Sequence, residues 1–461
     1  MTYSEQSIKN LISEADQIIS EVQKKSPADV DVFSVRTKEV RIVYENKDYS
    51  VSTNHTSTQH GIRCIRQGQM GFVTTNASTS EGLKQAAEEV NVISELTPSN
   101  EFQCIAKPPS TIGHFESIDI KMAQLSPQEL AKYADELIQT ATSDKRVSID
   151  RAEINWSLSE WSLASSNSFV QSAASSTCSW FVMGMGKTDT EVTSFDYDGG
   201  TVKFESEIIP LLNKTVGYFR DSVVSAIGAR SGKSYRGPVI LHPQAVMDLI
   251  GDFISSNCHG LRQQDGMSSW KDMMGELVAH KDLLVLEDPL NVNRIEGWSP
   301  FDREGVPSSL HKLIDCGRLN FVAHNCFTAQ RAGVDPTGNA SGGSRSLPGI
   351  GFSNLSVSAQ PQASLGVPEE KLFSMISDGL MVKRFSGNSD PTSGQFSGIA
   401  KNSHWISGGQ IAYPVHEVMI SGNMFDLIRE ILAIASSTHH IYGGGVAPYI
   451  LVDGVSVTAG S

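Results

Sequence analysis

The sequence predicts an α+β protein: an N-terminal domain of helices and an antiparallel sheet, followed by a mostly β C-terminal domain. Three observations carry that expectation. A chain of 461 residues exceeds what one ordinary core organises. Its first half mixes three- and four-residue apolar steps with stretches that alternate apolar and polar. After about residue 230 the texture changes to short alternating runs, dense glycine and few helices. The small, polar join Ala229-Arg230-Ser231-Gly232-Lys233-Ser234 therefore divides a domain of residues 1–230 from one of residues 236–461.

Each element follows from its pattern. Ile8, Leu11, Ile12, Ala15, Ile18, Ile19 and Val22 form one apolar face, so a helix opens the chain with Ser4 as its cap. Short strands at 30–34, 40–44, near Tyr49 and Val51, and within 62–73 are expected to make a meander with polar turns. Residues 79–95 read as a helix through Leu83, Ala86, Ala87, Val90 and Ile93. Ser126-Pro127-Gln128-Glu129 opens another that runs to about Thr142, with a serine cap, proline at the first helical position and glutamate at the third. Residues 146–200 are strands, and 205–230 a long helix. In the second half, 238–241 is a strand and 243–255 a helix, and the further helical candidates are 368–376 and 424–436.

Composition narrows the function classes. Hydrophobic residues make up 39% and charged residues 19%, as in ordinary globular chains. A net charge of −14 repels phosphate backbones, so no direct nucleic-acid binding is expected. The N-terminal residues lack the basic and apolar segments of a signal peptide, and no run reaches the roughly 18 apolar residues of a membrane span. A cytoplasmic location with no membrane contact is the expectation. Six scattered cysteines without CxxC spacing fit reduced thiols.

No local motif supplies a complete catalytic or metal site. A zinc helix built on His416-Glu417 would need a second histidine one turn on, but position 420 is Ile and the run alternates, so His416 reads as a strand residue. Cys258-His259 reads as a helix end and turn. His439-His440 and Gly443-Gly444-Gly445 read as the connection from the last helix to the last strand. Gly232-Lys233-Ser234 resembles the end of a phosphate loop, yet position 227 is Ile where the first glycine is required. Ser344 follows two glycines with no base tied to it, and no Gly-x-Ser-x-Gly elbow occurs. Glu287, Asp288, Asp302 and Glu304 could do acid–base work, but read as solvated turn acids.

Read together, the glycine-rich segments resemble the TldD/PmbA family, also labelled modulators of DNA gyrase. Residues 61–76 (GIRCIRQGQMGFVTTN) are similar to its N-terminal signature. In the second half, Phe301-Asp302-Arg303-Glu304-Gly305-Val306-Pro307, Pro336-Thr337-Gly338-Asn339-Ala340, Ser353-Asn354-Leu355, the 409–415 run GQIAYPV and Ile420-Ser421-Gly422-Asn423 match further family segments, in order.

The resemblance also implies a branch. TldD-like members carry HExxxH on the first helix of the C-terminal domain and a late cysteine, which together hold zinc. Here residues 246–255 contain no histidine, and residues 439–448 no cysteine, as in the PmbA/TldE branch. The resemblance therefore implies a non-catalytic subunit that binds no cofactor itself. Zinc is expected on a TldD-like partner in a heterodimer that encloses a chamber and hydrolyses small or unfolded peptides; self-pairing into a homodimer is the other arrangement. No catalytic residue is assigned. Asn339 and Arg345 are candidates for the chamber lining. An independent metallopeptidase would have to draw fallback ligands from His259, His416, Glu417, His439 and His440. A third reading is a binding or regulatory protein without proteolysis.

Overall fold

A computed structural model describes residues 5–459, so the Ser4 cap lies outside the described residues. The first half is one sheet with helices on one face. Its elements are α1 (Glu5–Lys25), β1 (Asp29–Glu45), β2 (Asp48–Arg66), β3 (Gln69–Thr75), α2 (Ser80–Leu96), β4 (His114–Ser117), α3 (Ile120–Ala123), α4 (Pro127–Ala141), β5 (Val147–Ser165), β6 (Phe169–Gly186), β7 (Asp196–Val202) and α5 (Ile208–Ser225). The strand order is β3-β2-β1-β5-β6-β4, with β7 also on β6, and every pairing is antiparallel except β4 with β6. The capping box at α4 forms as its sequence dictates: the Glu129 amide donates to Ser126 Oγ at 3.2 Å, and the Ser126 amide to Glu129 Oε2 at 2.9 Å.

The expected short meander is corrected. β1 has 17 residues and β2 has 19, and the polar stretches taken for turns are rungs of continuous strands. Cross-strand ion pairs hold those rungs: Arg36 faces Glu160 at 2.9 Å, and Arg41 reaches Glu153 at 2.6 Å.

Strand parity decides what the sheet touches. Even positions Val30, Val32, Ile62 and Cys64 pack under α1 and α2, and Val40, Ile42, Ile154 and Trp156 under α4 and α5. Odd positions Asp31, Phe33 and Arg63 lie on the opposite face, turned toward the second half of the chain.

α5 begins at Ile208 after a 3₁₀ turn at Glu205–Glu207 and ends at Ser225, shorter than the 205–230 its pattern predicted. The second half then starts with β8 (Tyr235–Leu241), at the centre of a 10-stranded mixed sheet. A second, six-stranded sheet is built around Leu283–Glu287. The 424–436 helix is a further correction. It stops at Arg429, and Ile431–Ala435 is a strand on Ile450–Thr458. Ile431, Ala433, Ile434 and Ala435 are buried in the sheet, and that burial overrides helical spacing.

Candidate functional site

Two of the places that gather polar residues bear on the function: one lies beside the contact of the Tyr442 hairpin with the first half, the other within the contact between the halves. The first is a cavity of about 430 Å³ beside the first helix of the second half. That helix starts at Pro243, passes through a π-helical stretch at Met247–Gly251 and continues as Asp252–Asn257. The extra residue per turn re-aims the side chains, as π-bulges do at many functional sites. Asp248 and Asp252 thereby line the cavity with Gln244 and Met247. The opposite wall is the hairpin of strands His439–Ile441 and Gly445–Ala447, whose turn carries Tyr442 and Gly443. Gly443-Gly444-Gly445 therefore joins two strands of one hairpin, not the last helix to the last strand.

The hairpin is held from the first half. Tyr442 packs on Phe181 (ring centroids 5.5 Å apart) and Tyr197 (6.2 Å). A Cβ on Gly199 of β7 would meet the Tyr442 ring at 2.5 Å, so only glycine permits that approach. On the third side, Lys383 Nζ reaches Asp196 Oδ2 at 2.5 Å, and the Arg384 guanidinium lies 3.6 Å from the Tyr197 ring centroid. These contacts place Phe385 at the cavity wall.

The donor set of this cavity does not fit zinc. Both Asp248 oxygens already accept hydrogen bonds, Oδ1 from Gln244 Nε2 at 2.9 Å and Oδ2 from the Phe385 amide at 3.0 Å. Burial pushes the Asp248 carboxyl above its ordinary pKa, because desolvation disfavours its charge. Among the described residues, no imidazole or thiolate lines the cavity. Among the described residues, no group of three or more His, Cys, Asp or Glu is placed to hold a metal ion.

The second place joins two of the sequence signatures. Arg63 of the first and Glu304 of the second form a buried ion pair at 2.7 Å, and Arg63 also donates to Asp31 through Nε and Nη2. Burial works against the Arg63 charge, but Asp31 and Glu304 outweigh it and hold the guanidinium pKa above the ordinary arginine value. Glu304 Oε2 additionally accepts the Cys326 amide at 2.6 Å. Arg303 lies over the Phe33 ring at 4.6 Å, and burial draws its pKa down to about 10.

These acids are not solvated turn residues. Glu287, Asp302 and Glu304 are 2%, 6% and 1% exposed, and only Asp288 is half-buried on the surface side. Asp302 organises its own turn, accepting the Glu304 and Val306 amides at 2.8 and 3.0 Å and the Ala340 amide at 2.9 Å. Glu287 accepts from Asn339 Nδ2 and the Ser353 amide, both at 2.7 Å. Desolvation pushes Glu287 and Asp302 each to about 7.

The sequence candidates are dispersed. His259 caps a short helix by accepting the Arg262 amide at 3.4 Å. His416, read as a strand residue, is exposed in the connection between strands Gln410–Pro414 and Val418–Asn423, where its amide pairs with the Arg230 carbonyl at 2.9 Å. Glu417 accepts from Ser194. His439 and His440 sit in the hairpin, with His439 on Glu369 at 2.9 Å. Asn339 is buried against Glu287. Arg345 is exposed and lines a second cavity of about 540 Å³, donating through Nε to Gln59. Sequence reasoning missed the pair Asp248 and Asp252. Their four-residue spacing within the mostly apolar run 245–254 is the signal that could have marked them.

Family profiles match two segments: residues 30–93 fit PmbA/TldA metallopeptidase domain 1, and residues 233–459 the PmbA/TldA metallopeptidase C-terminal domain. A metalloprotease PmbA homolog of Buchnera aphidicola is 27% identical over 214 residues, which are 46% of this chain. That alignment covers 44% of the Buchnera protein, less than half its length. Among solved structures, a candidate modulator of a DNA gyrase from Thermotoga maritima superposes with a TM-score of 0.83 at 22% identity, covering 97% of this chain and 99% of its own. TldE from Thermococcus kodakarensis gives 0.82 at 18% identity, covering 96% and 100%. At such identities these two likenesses speak for the fold. The profile matches to both halves establish that this chain belongs to the TldD/PmbA family.

Proposed function

We propose that this chain is a PmbA/TldE-like, non-catalytic subunit that completes a zinc metallopeptidase with a TldD-like partner and helps admit small or unfolded peptides. The single observation that carries this reading is the donor set of the helix running from Pro243 to Asn257. Where the TldD-like branch presents a zinc motif, this helix presents Asp248 and Asp252 to the cavity and contains no histidine or cysteine. Each Asp248 oxygen already accepts a hydrogen bond, from Gln244 and from the Phe385 amide, which ties the side chain into the cavity wall. Without imidazole-held metal, nothing in this cavity lowers the pKa of an attacking water or polarises a peptide carbonyl. The zinc is assigned to the partner. Hydrolysis of an unstructured fluorogenic peptide tests the reading. The lone chain should leave it intact, and mixing with a TldD-like subunit should produce a stable complex that cleaves it. Turnover by the lone chain, or failure to bind any TldD-like subunit, would overturn it.

A further inference from the structure

The open edge of β2 is a candidate binding surface that no contact described so far explains. β1 pairs with β2 along the whole strand, but β3 covers the other edge only from His60 to Arg66. Residues 48–59 therefore present an edge that pairs with no strand among the described residues. Side chains 48–57 are exposed on both faces. Natural sheets guard such edges with lysine, proline or bulges. This stretch, DYSVSTNHTSTQ, has no lysine, arginine or proline; its one charge, Asp48, lies at the turn, and its one register shift, at Ser50, lies at the outer end, so Val51–Gln59 pair regularly with β1 and carry no such guard.

The inner end of the edge is shaped by the second half of the chain. The place a Cβ would take on Gly61 is filled by the Ser344 carbonyl oxygen at 2.3 Å, so the loop carrying Arg345 is seated on β2 where β3 leaves it. The resulting fork is the polar cavity of about 540 Å³ between Thr56–Gln59, Thr74–Asn76 and Arg345. Arg345 uses only Nε, toward Gln59. Its two Nη groups have no partner among the described residues, and no carboxylate pairs with them.

We propose that this edge and fork bind the carboxy-terminal segment of an unfolded peptide as an added strand beside residues 48–59, with its terminal carboxylate on the Arg345 guanidinium. The inference rests on the peptide-processing reading above, and adds a peptide contact on this chain itself. Backbone hydrogen bonds supply affinity in strand addition, and the small, uncharged Ser and Thr side chains of β2 impose little sequence choice. A cationic pocket that closes one end of an edge suits a chain terminus, because the strand of a folded partner would run on past it. Guanidinium and carboxylate are also complementary in charge and in planar geometry. With its carboxylate in the fork, the peptide runs parallel to β2. The edge spans roughly 40 Å at about 3.3 Å per residue, room for about ten residues.

Fluorescence anisotropy on the full chain alone tests this, with a labelled unstructured decapeptide carrying a free carboxylate. Amidating that terminus, methylating alternate peptide amides, and the substitution Arg345→Gln should each weaken binding about tenfold or more, the loss of one charged or several backbone hydrogen bonds. The first two changes leave the protein untouched, so misfolding cannot imitate them. Equal binding of the amidated or methylated peptide would overturn the proposal. So would sedimentation showing that the lone chain pairs with itself through this edge. No peptide binding by the lone chain, with a partnered complex still cleaving peptides, would overturn this inference and leave the subunit reading standing. Binding by a chain that never joins a TldD-like partner would do the reverse.

Discussion

Replacing Arg63 by methionine should be among the most damaging single changes in the molecule. Arg63 stands between two buried carboxylates, Asp31 and Glu304, each 1% exposed. It donates to Asp31 through Nε at 3.0 Å and also through Nη2, and to Glu304 through Nη1 at 2.7 Å. Methionine fills much of the same volume, so little cavity forms. What remains is uncompensated charge: Arg303 Nη1 is 3.9 Å from Asp31 Oδ1, too far for a hydrogen bond. Removing one partner from a buried pair costs about 3–5 kcal/mol. At about 2 °C per kcal/mol for a chain of this size, the unfolding midpoint should fall by roughly 6–10 °C. Scanning calorimetry reads that shift, with Lys9→Met as a control at an exposed pair that should leave the midpoint unchanged. Adding Glu304→Gln to Arg63→Met should recover part of the loss, because it removes one stranded charge and keeps an acceptor for the Cys326 amide. A loss below about 1 kcal/mol, or full additivity of the two changes, would refute the view that this network ties the two halves together.

Two other predictions concern Gly305, which packs on the first half, and Glu287, buried within the second. Gly305 has φ of +81°, and a Cβ there would meet Leu163 Cδ2 at 2.3 Å, so Gly305→Ala should destabilise by about 2–3 kcal/mol in a urea titration; a neutral result would mean the turn is free to move away from β5. Glu287 titrates near 7 in the folded state, against 4.5 for its unperturbed form, because burial disfavours its charge. The folded protein then holds a proton that the unfolded chain has released, so this group's contribution is complete below about pH 4.5 and is lost as pH rises through about 7. Glu287→Gln removes that dependence, and its midpoint should improve relative to the wild type from pH 5 to pH 8; a relative decline over that range would reverse the assigned sign.

Local pattern made most of the first half legible. The apolar face of α1, the helical spacing of α2 and the capping box of α4 are all written in a few neighbouring residues, and those elements form where their signals lie. Strand length was harder to read. Thr37-Lys38-Glu39 looks like a turn in one dimension, and becomes strand only because β5 and β2 flank it with matching rungs. The same limit explains Ile431–Ala435, where the sheet and not the helical spacing sets the conformation. Acids beside a turn look solvated unless one knows that Arg63, more than two hundred residues upstream, arrives to meet Glu304. The ligands missing from the Pro243–Asn257 helix, by contrast, were visible directly, because a zinc motif needs particular residues at fixed spacing. What the sequence could not give is the cavity those residues line, since it is closed by Tyr442 and Phe385 from remote segments.

The central claim is that this cavity does not carry the metal. Elemental analysis of the untagged chain, alone and in complex with a TldD-like subunit, tests it most directly. Less than about a tenth of an equivalent of zinc is expected on the lone chain and about one per heterodimer, because a zinc site needs roughly three to four protein ligands. About one equivalent on the lone chain, lost on chelation together with any peptidase activity, would contradict it.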